Sequence, residues 1–167
     1  MTAGRSSEDE TMGEIRDRWA LDIGRLLLAF GEIEYATLEC LKLFPRDAIF
    51  ESVAAMPLAR RIALINCILV GRKDLEDQTA EILRLLRRAE ELLIVRNTVA
   101  HNSFVFEFHQ GSSEDDLRMV DALVNAKGNR RFTHHEIAAA ALNAHEVALA
   151  LIESHAALYR YFAPAKP

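Results

Sequence analysis

The sequence predicts an all-α protein, an up-and-down bundle of four to five helices with a small hairpin or long loop before the last helix. Three observations carry this reading. Apolar residues recur at three- and four-residue steps over long stretches, prolines and glycine turns cut those stretches into helix-length pieces, and one segment alone, SFVFEFH at 103–109, alternates with a period of two. Amphipathic faces of this length bury one another most simply by lining up as a bundle.

Residues 1–10 are small, polar and charged and read as a mobile tail, leaving 11–163 as a single helical domain. The first helix runs from Thr11 to Leu43 on a stripe through Trp19, Ile23, Leu27, Phe30, Leu38 and Leu41, and Pro45 ends it. Gly24 and Gly31 inside it weaken helix propensity, which close packing of another helix would explain. A short helical piece, Asp47 to Ala55, precedes Pro57, which opens a helix to about Val70. After the GRKD turn, a long helix from about Leu75 to Ala100 carries Ile82, Leu85, Leu86, Ala89, Leu92 and Leu93 on one stripe.

The strand-like 103–109 follows, with Phe104, Phe106 and Phe108 on one face. QGSSEDD supplies a loop, and Leu117 to Ala122 reads as a returning strand or a short helix. Gly128-Asn129 is a second turn. Thr133-His134-His135-Glu136 then has capping-box form and starts the last helix, which runs to about Phe162 before Pro164.

Half of the 167 residues are hydrophobic and 27% are charged, an ordinary globular balance. The formal net charge of -5 excludes a protein that coats nucleic acid through its whole-surface field, while leaving room for a local basic pocket. Much of the excess negative charge lies in Glu8-Asp9-Glu10 and Glu114-Asp115-Asp116, runs that read as solvated segments. Cys40 and Cys67 each fall in an apolar helical pattern, outside any CxxC or Cys/His grouping, and read as reduced, buried structural thiols. No signal-type segment or bilayer-length apolar run is evident, so the expectation is a cytoplasmic protein without membrane association.

Chemistry concentrates in ELLIVRNTVAHN, residues 91–102. Continuing the stripe from Ala89, Leu92 and Leu93 lands on Arg96, a charge where an apolar residue packs better. The first helix's stripe meets a carboxylate at Glu34 in the same way, and the two are expected to pair between helices. Such a pair either fixes the register of the bundle or positions an arginine toward an anion. His101 lies five residues beyond Arg96, about 140° round a straight helix. Either the helix ends near Ala100 and brings His101 round, or a second copy of the chain supplies the complementary group. Asn97 shares the face of His101 and suits orienting the ring or bonding the carbonyls of the helix end.

Arg96-Asn97-Thr98-Val99-Ala100-His101 resembles the R-N-x-x-x-H form of the Arg-x4-6-His motif of HEPN domains, the higher eukaryote and prokaryote nucleotide-binding superfamily. The motif's place near the end of an internal helix of a bundle resembles that family too. The resemblance implies a metal-independent endoribonuclease working as a homodimer without cofactors, with two motifs facing each other across a cleft. On that reading His101 is the general acid or base, Arg96 holds the scissile phosphate, Asn97 orients one of them and Glu34 supports the arginine. It implies an RNA substrate and a cognate antitoxin or other protein partner of a toxin or stress module. The alternative it leaves open is a non-catalytic module for dimerisation, nucleotide binding or protein-partner binding.

Other candidates read as structure. His134, His135 and Glu136 are adjacent at a helix start, which suits a cap and not a metal site, and His155 falls on the last helix's stripe as a core or interface residue. Ala138 to Ala141 permits close helix approach. Glycine-rich phosphate loops, nucleophile elbows and HExxH are missing from the sequence, so acyl transfer, P-loop hydrolysis and zinc hydrolysis lack their usual carriers.

Overall fold

The computed structural model describes residues 11–44, 49–72, 76–110, 117–124 and 130–162. The expected tail at 1–10, both acidic runs, the stop at Pro45, the Gly128-Asn129 turn and Pro164 lie outside them, as do most of the 110–116 loop and part of the GRKD turn.

Five helices and a small sheet make up the fold: α1 (Met12–Lys42), α2 (Ile49–Ala54), α3 (Leu58–Val70), α4 (Glu76–His101), β1 (Ser103–Gln110), β2 (Leu117–Val124), β3 (Arg131–Phe132) and α5 (His134–Phe162). All-α is therefore corrected to a mostly helical bundle carrying a three-stranded antiparallel sheet of order β1-β2-β3. Residues 117–124 form a strand, not a helix, with Ser103 opposite Val124 and Gln110 opposite Leu117. The two-residue β3 pairs Phe132 with Leu123 and is too short to show a period of two in sequence.

Both long helices start as local chemistry dictates. The Thr11 hydroxyl accepts from the Glu14 amide at 3.2 Å while the Glu14 carboxylate accepts from the Thr11 amide at 2.8 Å. Thr133 and Glu136 repeat the reciprocal pair at 3.3 and 2.7 Å, which satisfies amides that have no partner in the first turn of α5. These bonds hold the carboxyls of Glu14 and Glu136 below the usual range, the backbone bond from the threonine contributing most.

The core runs through Trp19, Leu26, Phe30 and Ile33 of α1, Ile62, Ile65 and Leu69 of α3, Ile82, Leu85 and Leu86 of α4, and Val147 and Leu151 of α5. Two stripe assignments are corrected. Leu26 is buried and Leu27 is exposed, because neighbouring leucines leave the stripe's phase ambiguous by one residue. Among the described residues nothing lies within 4 Å of where a Cβ would stand on Gly24 or Gly31, so the close helix packing expected there is not made by any described helix.

α1 and α5 form the most extensive helix contact. Asp22 meets His134, Glu32 meets His145 and Phe44 meets Phe162, contacts that advance in the same sense along both helices. The two longest helices thus run parallel, and α4 runs antiparallel to both, since its Arg96 meets Glu34 while Phe104 just past its end meets Trp19; the chain reverses through the sheet between α4 and α5. The buried Ala140 and Ala141 lie in the segment where the expected small-residue run permits close approach.

By length and hydropathy α5 is the one helix among the described residues that is apolar enough to cross a membrane, which corrects the expectation that no such run occurs. The same composition is what a core helix needs. Ile137, Ala144, Val147, Leu151 and Leu158 of α5 are buried within the chain.

Candidate functional site

Glu34 stands at the centre of a three-helix junction. Its carboxylate lies 3.6 Å from the Arg96 guanidinium of α4 and 3.6 Å from that of Arg61 at the start of α3. The expected pair between Glu34 and Arg96 is present, and Arg61 is the partner that sequence reasoning missed. Its signal was a charge on the helical spacing of Leu58, Ile62 and Ile65, within one turn of each.

The two arginines differ in environment. Arg61 is 6% exposed, and its Nε donates to the Met56 carbonyl at 3.0 Å, while one terminal nitrogen reaches the Glu34 carbonyl at 3.0 Å and the Thr37 hydroxyl at 3.5 Å. This guanidinium has no face left for a ligand. Arg96 is 31% exposed and donates to the Asn97 side-chain oxygen at 3.1 Å, and its Nε is buried without a hydrogen-bond partner.

α4 continues as helix through His101, so Arg96 and His101 remain about 140° apart and do not converge within one chain. The helix end expected near Ala100 falls at His101, so no irregular backbone carries His101 round toward Arg96. His101 is exposed, and among the described residues no hydrogen bond or ion pair engages its side chain. Asn97 turns its oxygen to Arg96 rather than to the ring. The helix end is closed instead by Asn102, whose amide donates to the Thr98 carbonyl at 2.7 Å.

Two of the other three arginines of α4 are engaged by carboxylates, and Arg87 is exposed. Arg84 donates to both carboxylate oxygens of Glu81 and raises its own pKa by those bonds, while Arg88 engages Asn143 and lies 3.1 Å from Glu146 on α5.

A second polar cluster gathers twelve residues earlier on α1. The buried Asp22 meets Arg25 at 3.0 Å and His134 at 2.9 Å, and the His134 ring stands edge-on to Trp19 at 5.5 Å. Trp19 donates to Asp121 of β2 and packs on Phe104 of β1 at 5.1 Å, so this cluster locks the sheet onto the first half of α1. His134 thus does more than begin a helix: it ties α5 to α1. His155 is half-exposed beside Tyr159 and lies outside the core. Among the described residues no group of three or more His, Cys, Asp or Glu side chains is placed to hold a metal ion.

Both cysteines are free. Cys40 is buried and its thiol is pushed up to about 12, chiefly by burial and then by the neighbouring Glu39 charge, whereas Cys67 is exposed and not buried as expected. Comparison of the chain with protein-family models, curated proteins and solved structures finds no match.

Proposed function

We propose that this chain is a HEPN-like, metal-independent endoribonuclease acting as a cytoplasmic homodimer. The observation that carries the reading is the contrast within Arg96-Asn97-Thr98-Val99-Ala100-His101: an arginine anchored on Glu34 yet partly open to solvent, and an exposed histidine with no side-chain partner in the last turn of the same helix. His101 takes the proton of a ribose 2′-hydroxyl, whose oxygen attacks the adjacent phosphorus. The bond to the 5′-oxygen breaks and that oxygen takes a proton from water, leaving a 2′,3′-cyclic phosphate, while His101 returns its proton to the hydroxide so formed. Arg96 neutralises the charge that builds on the phosphoryl oxygens, with Glu34 and Asn97 holding the guanidinium in place. Since the two side chains diverge on one helix, each site takes Arg96 from one copy and His101 from the other.

A complementation assay tests this. Purified protein with RNA and a chelator at neutral pH should yield 2′,3′-cyclic ends, and His101→Ala and Arg96→Ala should each lose cleavage by about 10²-fold or more with helical content unchanged. Mixing the two variants should restore activity, because one of the two sites in a mixed dimer is whole. Intact RNA with wild-type protein, or equal cleavage by wild type and His101→Ala, sinks the reading.

One observation favours a second reading, a non-catalytic helical module. Glu34 joins α1, α3 and α4 through its two arginines, and fixing that register is sufficient reason for Arg96 to exist. Glu34→Gln separates the two: lost folding with no distinct effect on cleavage supports the module.

A further inference from the structure

Two rows of large apolar side chains stand exposed side by side on α1 and α5. On α1 they are Leu21, Leu28 and Tyr35, at seven-residue intervals, and on α5 Leu142 and Leu149. Leu28 and Leu142, 72% and 62% exposed, rim one groove of about 420 Å³ floored by Ala29, Ala138 and Ala141. Because the two helices run parallel, a step of seven residues along both brings Tyr35 level with Leu149, so the two walls of the groove repeat together. Apolar side chains grouped in this way mark a contact surface rather than scattered surface leucines. Parallel helices with matched seven-residue rows and a floor of alanines form a seat for a third helix, whose own apolar residues enter at the same spacing.

The charges beside the groove select the kind of helix. Arg25 is bound to Asp22 at 3.0 Å and Lys42 to Glu39, so both cations on the α1 side already have a carboxylate. Asp17 and Glu153, one turn outside Leu21 and Leu149, are exposed. Among the described residues no Lys or Arg side chain engages either of them or Glu32, whose only ionisable neighbour is His145 at 3.9 Å. Arg160 stands outside this set, seven residues past Glu153. We infer that the α1/α5 groove docks an amphipathic helix of a partner protein, with leucine-like residues seven apart and basic residues flanking its apolar stripe. Those basic flanks give Asp17, Glu32 and Glu153 the partners they lack. A second copy brings only more of the same unpaired carboxylates. Leu28 also lies about 120° round α1 from Glu34, so this face stays open when two copies join at Arg96 and His101.

The probe is a synthetic helix of three heptads with leucine at the first and fourth positions of each and lysine on either side of that stripe. Fluorescence anisotropy with the full chain at physiological salt should give a Kd of about 10 μM or tighter. The same helix with glutamate for every lysine should bind at least about tenfold more weakly, and so should the lysine helix with its leucines dispersed round the axis. Leu28→Glu should weaken the lysine helix by about tenfold or more with helical content unchanged, whereas Val70→Glu, equally exposed but on α3, should change binding by less than about twofold. Glu32→Lys should weaken the lysine helix by about threefold and strengthen the glutamate helix. No binding, equal binding of the two charged helices, or equal losses from Leu28→Glu and Val70→Glu overturns the inference. So does a chain whose own dimer dissociates on Leu28→Glu in sedimentation, which would make the face a self-contact. The peptide assay contains no RNA, so its failure and that of the nuclease reading are separate results.

Discussion

Arg61 and Arg96 share one carboxylate and differ in nearly everything else. Both reach Glu34 at 3.6 Å, yet Arg61 is enclosed and satisfied by a carbonyl of the α3 approach and by groups of α1, while Arg96 has solvent on one side and a bare Nε on the other. A guanidinium whose donors are all spent can only hold helices together. One with spare donors at the surface can hold helices and still meet an anion. The contrast teaches that a charge on an apolar stripe is a functional candidate only when its environment leaves it unfinished.

The largest effect tests the closed side. Arg61→Leu takes one of two arginines from Glu34 and removes the donor to two carbonyls and a hydroxyl, and about 3 kcal/mol of stability should go, read as a lower urea midpoint. If Arg61→Leu costs no more than Arg96→Leu, the contrast is broken.

The cysteines repeat it. Cys40 holds its proton in the folded state up to about pH 12, whereas an unfolded thiol releases it near pH 8.5. The stabilisation is full below the unfolded value and falls by about 1.4 kcal/mol per pH unit as pH rises toward the folded one. Alkaline titration of stability should show that slope, and Cys40→Ala should remove it. Thiol reagents at neutral pH should label Cys67 and spare Cys40.

Thr133→Ala removes the cap that starts α5 beside the Asp22 and His134 contact, at about 1 kcal/mol, measurable by thermal unfolding. Glu136, whose carboxyl the cap holds low, contributes stability above the usual carboxylate range near pH 4.3 that is lost as pH falls through its lowered value. Thr133→Ala should shrink that acid dependence.

The smallest stability effect belongs to the open side: Arg96→Leu should cost less than about 1 kcal/mol, since a pair that is a third exposed is weakened by solvent. A loss as large as that of Arg61→Leu would make Arg96 a second structural arginine and favour the non-catalytic module.

Much of this was legible in the chain. Period, prolines and threonine caps locate the long helices to within a residue or two, and stripe continuation pairs Glu34 with Arg96 from the sequence. The phase of a leucine-rich stripe was not legible, so Leu27 was taken for Leu26. Nor was Asp22 singled out, although it too sits on the buried side, because α1 has no other sign of the His134 that meets it from 112 positions away.

Local rules sufficed wherever the deciding interaction spans three or four residues: caps, helix extents, and the divergence of Arg96 from His101 along one helix. Tertiary structure alone decided which arginine is enclosed, that α1 and α5 run parallel, and that Gly24 and Gly31 of α1 face open space. Those depend on which elements meet, and burial is a property of the neighbours a residue acquires, not of the residue.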